Sequence, residues 1–135
     1  MSLFSVFDTA GSALSAQSIR LNTISSNLAN LDTVASSPEE AYKARYPVFS
    51  AVLDGMNNNA SAVRVDRIAE GTAPPKRELM PSHPMADADG FIYSADISAV
   101  DEMANMLSAS RSYQSNVEAM NTTKQMLLQT LNLGK

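Results

Sequence analysis

All six prolines of this 135-residue chain, Pro38, Pro47, Pro74, Pro75, Pro81 and Pro84, fall in its middle. Proline removes a backbone donor and clashes with the preceding helical turn, so the proline-free stretches 1–37 and 85–135 are where long helices can form. Stepping alternately by four and three from Leu3 gives Leu3, Phe7, Ala10, Leu14, Gln17, Leu21, Ile24, Leu28 and Leu31, eight of nine apolar. Alternating steps of three and four from Met103 give Met103, Met106, Ser110, Tyr113, Val117, Met120, Lys124, Leu127 and Leu131, seven of nine apolar. Both ends therefore carry a heptad seam. The spacing predicts helices over about 3–33 and about 98–133, each roughly 45–54 Å long at the helical rise. Ser98, Asp101 and Glu102 suit the start of the second, and Gly134 a C-terminal cap. The expected fold is mainly α, with long N- and C-terminal helices pairing as an elongated, antiparallel coiled-coil hairpin.

Between them, residues 34–97 read as a small β-containing segment. Residues 46–53 and 62–68 are β-branched runs, the second alternating Val63 and Val65 with Arg64 and Asp66. Asp54-Gly55 and Asn57-Asn58-Asn59 offer turn chemistry between these runs, and Phe91-Ile92-Tyr93 after Gly90 is a third strand. So few short strands need a helix to cover them. The chain thus divides into a helical half at 1–33, an outer segment at 34–97 and a second helical half at 98–135.

Charge follows the same division. Residues 39–102 hold 17 of the 24 charged side chains, whereas 30 of the 71 residues in 1–38 and 103–135 are Ser, Thr, Asn or Gln. A solvated helix normally interleaves Lys with Glu. A face of hydroxyls and amides hydrogen-bonds without repelling neighbours, and because interface cores are depleted of charge it is read as packing closely on other protein subunits rather than as simple solvent exposure. The net charge of -4 gives no footprint for nucleic acid or an anionic membrane surface. No apolar run approaches the ~20 residues of a membrane span, and the first basic residue, Arg20, is too late for the n-region of a cleaved secretory signal.

Catalytic chemistry has little to work with. There is no cysteine, and His83 is the only histidine, so zinc sites and thiol nucleophiles are excluded. Asp87-Ala88-Asp89-Gly90 has the look of a calcium loop, but its first ligand position is Met85 and its twelfth is Asp96 rather than Glu. The five glycines, at 11, 55, 71, 90 and 134, form no phosphate cradle. Glu39-Glu40 and Asp101-Glu102 read as a solvated loop and a helix start. A small hydrolase using His83 as base would need a nucleophile elbow that no serine here occupies. No catalytic, metal or cofactor residue is expected.

Two segments exceed helix filler. Ser25 to Thr33 places Asn27 and Asn30 three apart at the end of the first helix, where amides turn onto backbone groups, although a cap needs only one. Arg111-Ser112-Tyr113-Gln114-Ser115-Asn116 puts Tyr113 among amides on the second seam. The stretch Ser26-Asn27-Leu28-Ala29-Asn30-Leu31-Asp32-Thr33 resembles the S-N-L-A-N-x-x-T signature of the bacterial flagellar axial proteins, the rod, hook and hook-associated family. Residues Ser108 to Gly134 are similar to the C-terminus of the proximal rod members of that family, and Pro84 to Phe91 adds a further match. One departure is Ala95-Asp96-Ile97, where the family has Pro-Asn before the apolar residue.

The resemblance implies a non-enzymatic subunit of the basal-body rod. Such a subunit is exported by the flagellar type III apparatus without a cleaved signal and assembles in the periplasm. Its partners would be other copies of itself, other rod subunits, MS-ring or rod-base adaptor proteins and the export apparatus, without nucleic acid or membrane insertion. The expected assembly interface takes Phe7, Leu14, Leu21, Leu28, Met106, Tyr113, Val117, Met120, Leu127 and Leu131 from the seams. It adds Asn27, Asn30, Thr33, Arg111 and Asn116 from the matched motifs. From the residues alone, a cytoplasmic helical adaptor or export chaperone is the alternative.

Overall fold

Residues 3–53 and 61–133 are described by the computed structural model. A helix α1 (Leu3–Ala29) leads through five strands, β1 (Val34–Ala35), β2 (Arg45–Leu53), β3 (Ser61–Glu70), β4 (Lys76–Leu79) and β5 (Phe91–Ser94), to a helix α2 (Ala99–Leu133). Expected turns at Asp54-Gly55 and Asn57 to Asn59, and the Gly134 cap, lie outside the described residues.

Each helix end has a local cause. Ser98 caps α2, its Oγ accepting the Asp101 N–H at 3.3 Å and its carbonyl the Glu102 N–H at 3.0 Å. Asp101 and Glu102 then place negative charge in the first turn, where the helix dipole favours it. α1 stops at Ala29, short of the expected 33. The last turn tightens there, with the Asn30 N–H shared between the Ser26 and Asn27 carbonyls at 3.2 Å each and Leu31 N–H on Leu28 O at 3.3 Å.

The strands form two sheets. β2 pairs with β3, and a three-stranded antiparallel sheet runs β1-β5-β4, with Val34 opposite Ser94 and Arg77 opposite Tyr93. β2, β3 and β5 match the expected runs, whereas β1 and β4 were not legible. β1 is two residues long, and β4 is Lys-Arg-Glu-Leu with every side chain exposed. Charged side chains suit an exposed edge strand, and the Arg77 guanidinium lies 3.5 Å from the Phe91 ring centroid on β5.

The turn that delivers β5 is built on Asp87. Its Oδ1 accepts the backbone N–H groups of Asp89 (2.9 Å) and Phe91 (2.8 Å), and its Oδ2 accepts the Tyr93 hydroxyl at 3.1 Å. The carboxylate expected as an acidic turn is thus a backbone acceptor. Gly90 takes φ +83°, and a Cβ there would sit 3.1 Å from Pro81 Cγ, so glycine is required.

The molecule divides into two compact units. One takes α1 up to Leu21, β2 from Pro47, β3 up to Arg67 and α2 from Leu107. In it, Ser12 Oγ on α1 accepts the Val63 N–H of β3 at 3.1 Å. The other unit takes Asn22–Tyr46 and Ile68–Met106, with a small core of Ala44, Ala95 and Ile97 backed by Leu31 and Tyr42.

What is buried corrects the expected packing. The buried apolar residues are Ala10, Ala16, Ala35, Ala41, Ala44, Ala95 and Ala109 with three isoleucines, Ile24, Ile92 and Ile97. The seam leucines Leu14, Leu21 and Leu28 are half-buried. Small side chains let backbones approach closely, and the larger ones are then held at the margins.

The seam of α2 also shifts. Its covered line runs Glu102, Met106, Ala109, Tyr113, Asn116, Met120, Thr123 and Leu127, with Ala109 at 0% exposure and only Tyr113 on the exposed side. The expected seam shares Met106, Tyr113, Met120 and Leu127 with this line. At the alternate positions exposed Met103 and Lys124 give way to buried Glu102 and Thr123, and Ala109 is buried where Ser110 is half-buried, whereas Asn116 and Val117 are both half-buried. Apolarity alone favoured Met103, but close approach selects small or hydrogen-bonded side chains. Met103, Leu107, Leu128 and Leu131 are left 60%, 54%, 51% and 63% exposed.

Two outcomes check these points. Ala109→Leu overfills a fully covered site and should cost about 1–3 kcal/mol, whereas Leu128→Asn should stay within about 0.5 kcal/mol, both read from urea unfolding of the purified chain. Backbone hydrogen bonding, chiefly from the Phe91 N–H, holds the Asp87 carboxyl below its ordinary 3.8. A depressed carboxylate contributes stability above its unfolded value and loses it as pH falls through the folded one. Unfolding midpoints of wild type should therefore drop as pH falls below about 4, and Asp87→Asn should show a flatter profile over that window.

Candidate functional site

The residues that terminate α1 also build the most highly connected polar site among the described residues. Asn27 is buried at 0% exposure, on the last full turn of α1. Its Nδ2 donates to the Arg45 carbonyl at 2.9 Å and to Glu102 Oε2 at 3.2 Å. Its Oδ1 accepts the Arg45 N–H at 2.9 Å and the Tyr42 hydroxyl at 3.0 Å. A side-chain amide has two donors and two acceptor lone pairs, and all four are used. Ser26 extends the network, its Oγ lying 3.1 Å from the Tyr42 hydroxyl. Because the Tyr42 proton goes to Asn27, Ser26 is the donor in that bond.

Asn30 plays the separate part its spacing suggested. Its Nδ2 donates to the Ser26 carbonyl at 2.8 Å, covering a helix-end acceptor, and its Oδ1 accepts from Thr33 Oγ1 at 3.3 Å. Asn27 therefore faces inward to other segments while Asn30 closes its own helix.

Glu102 stands in the first turn of α2, as expected of a helix start, and is 4% exposed. Burying a carboxylate is costly unless it is hydrogen-bonded. Asn27 supplies one donor and the N-terminal turn of α2 a favourable dipole. Nearby, burial first and then the Glu102 and Asp96 carboxylates push the Tyr46 hydroxyl above its ordinary value. Sequence reasoning found Asn27 but not its partners: Tyr42 and the Arg45 backbone lie in a loop without periodicity, and Glu102 is 75 residues away.

The other expected interface residues distribute along the helices. Phe7, Leu14, Leu21, Leu28, Asn30, Met106, Asn116, Val117, Met120 and Leu127 are half-buried, and Thr33, Arg111, Tyr113 and Leu131 are exposed. Asn116 uses its Nδ2 on the Ser112 carbonyl at 2.9 Å. Catalytic alternatives find no geometry. His83 Nδ1 accepts the Met85 N–H at 3.1 Å, so that nitrogen is engaged by backbone. Among the described residues, no three His, Cys, Asp or Glu side chains converge as a metal site, and no helix is long and apolar enough to cross a membrane.

The Asn27–Asn30 joint lies inside a region that matches a known family. The model of the flagella basal body rod protein matches residues 7–34, and that of the flagellar basal body rod FlgEFG protein C-terminal region matches 88–133. Over the full length of both chains, this one is 45% identical to the flagellar basal-body rod protein FlgC of Yersinia enterocolitica. It is likewise 46% identical to those of Salmonella typhimurium and Escherichia coli O157:H7. The chain belongs to the flagellar basal-body rod protein family. Its role is structural rather than enzymatic, as a subunit of the basal-body rod.

Within a rod-family subunit, a joint made of one buried amide has a sharp mutational signature. Asn27→Leu leaves the Arg45 N–H and carbonyl, the Tyr42 hydroxyl and the Glu102 carboxylate without their partner. At about 1–3 kcal/mol per abandoned group, the part-buried ones at the low end, the total loss should be about 4 kcal/mol or more. Asn30→Leu removes one helix-end bond and should cost about 1 kcal/mol. Chemical denaturation of the two purified variants side by side gives the comparison.

Proposed function

We propose that this chain polymerises through its terminal helices into the proximal part of the flagellar rod, with α1 and α2 forming an inner coiled-coil layer and residues 34–97 an outer segment. Subunits reach the periplasm through the flagellar type III export apparatus. There they contact other copies, other rod subunits and, at the base, MS-ring or rod-base adaptor proteins. The interface draws on Phe7, Leu14, Leu21, Asn27, Leu28, Asn30, Thr33, Met106, Arg111, Tyr113, Asn116, Val117, Met120, Leu127 and Leu131.

The observation that carries this reading is the inversion of side-chain size between inside and outside. The chain buries alanines and leaves Val100, Met103, Leu107, Tyr113, Met126, Leu128 and Leu131 of α2 exposed, Val100 at 76%. Stepping along α2 from Met103 through Leu107, Ser110, Gln114, Val117, Asn121, Lys124 and Leu128 to Leu131 traces a second heptad line beside the covered one. Its exposed apolar members pair at its two ends, Met103 with Leu107 and Leu128 with Leu131, and exposed apolar surface of this kind marks an interaction face. The exposed stripe of α1, Asp8, Ser15, Ser18, Asn22, Ser25 and Ala29, is small and nearly uncharged, so a neighbouring helix can approach it without repulsion.

Tagged subunit recovered in purified basal bodies is the readout. A Leu128→Asn, Leu131→Asn double variant should lose incorporation at least about tenfold, the equivalent of about 1.4 kcal/mol, while its unfolding midpoint matches wild type. Normal incorporation of that variant would remove the second apolar line of α2 from the assembly interface.

A further inference from the structure

Beside the Asn27 joint, residues Pro38, Ala41, Tyr42, Ala44, Tyr46, Glu70, Gly71, Ala73, Pro75 and Asp96 wall a cleft of about 370 Å³, with Lys43 and Thr72 also on its lining. Its lining mixes alanines and prolines with two tyrosines and charged side chains, and its polar groups are unevenly committed. Asp96 holds Lys76 at 3.0 Å, Tyr42 gives its hydroxyl to Asn27, and Arg45 lies 5.7 Å from the Tyr42 ring centroid. Glu70 is exposed and makes no ion pair or hydrogen bond among the described residues. Tyr46 is 46% exposed with its ring open to the cleft side. Such a site suits a side chain that is apolar along its length and cationic at its tip.

α2 carries a ridge of that composition. Leu107 is 54% exposed, and one turn later Arg111 is exposed with no ion pair among the described residues. Positions four apart lie side by side on a helix, so whatever covers Leu107 also takes water from the Arg111 guanidinium. A guanidinium so covered needs an anion, and it stacks on tyrosine rings better than an ammonium does. Elsewhere α2 offers only Lys124 as a described cation, and its neighbours four residues away are Met120, half-buried, and Leu128.

We infer that the Glu70 and Tyr46 cleft of one subunit receives the Leu107–Arg111 ridge of a second copy of this chain, Arg111 pairing with Glu70 while Leu107 covers the apolar wall. The inference rests on the proposed rod assembly and deepens it by naming one subunit contact. Lys43, exposed on the same lining, adds a positive charge that works against a second incoming cation.

The test uses charge exchange in the full chain. Glu70→Arg and Arg111→Glu should each lower recovery of tagged subunit in basal bodies about tenfold, and the two together in one chain should restore it to within about twofold of wild type. Both variants should unfold as wild type, because neither side chain has a partner among the described residues. Since the sequence holds no cysteine, a cross-link gives an independent reading. Subunits bearing Glu70→Cys co-assembled with subunits bearing Arg111→Cys should yield a disulfide dimer, and with Lys124→Cys should not. Failure of the double exchange to restore recovery would overturn the pairing. So would equal cross-linking to Lys124→Cys, or a cross-link to a different rod protein. Absence of the unaltered tagged subunit from basal bodies would instead overturn the rod assembly itself.

Discussion

One buried amide sets much of the geometry of the Asn27 unit. With both donors and both lone pairs of Asn27 satisfied, the end of α1, the 42–45 loop, the start of β2 and the first turn of α2 are tied to a single atom group. In a low-dielectric interior a fully satisfied network specifies position, and a partly satisfied one is costly. The core beside it is slight, three small or medium apolar side chains backed by Leu31 and Tyr42. Directional hydrogen bonds therefore do here what volume packing does in larger cores.

That economy leaves apolar material unused inside the chain. Alanines at the close approaches bring backbones together, and the leucines and methionines of α2 turn outward. For an independent globular protein this would be an aggregation hazard. In the assembly proposed above it would be the surface offered to neighbours, and hydroxyl- and amide-rich faces that lack charge would avoid repulsion there. The Asp87 turn and the β1-β5-β4 sheet add backbone hydrogen bonds to a carboxylate and a guanidinium over a ring to a small apolar contribution from Ala35 and Ile92.

Some of this was legible before any coordinates. Proline exclusion and heptad spacing located both helices, β-branched runs located β2, β3 and β5, and the Asn27–Asn30 spacing singled out the joint. β4 escaped because Lys-Arg-Glu-Leu has no strand propensity of its own and is recruited by β5. Glu102 was legible as part of a helix start beside Asp101 but not as a buried residue. Its burial comes from Asn27, and local composition holds no trace of that contact.

The sequence by itself determined where helix and strand could form and to which family the chain belongs, because periodicity, breakers and short motifs are local properties. Tertiary structure decided which of two overlapping heptad lines on α2 is covered. The two lines share Met106, Tyr113, Met120 and Leu127, so apolar counting cannot separate them. The choice falls to Glu102, Ala109 and Thr123 because what matters at a close approach is small volume or an available hydrogen-bond partner, and both depend on what stands opposite.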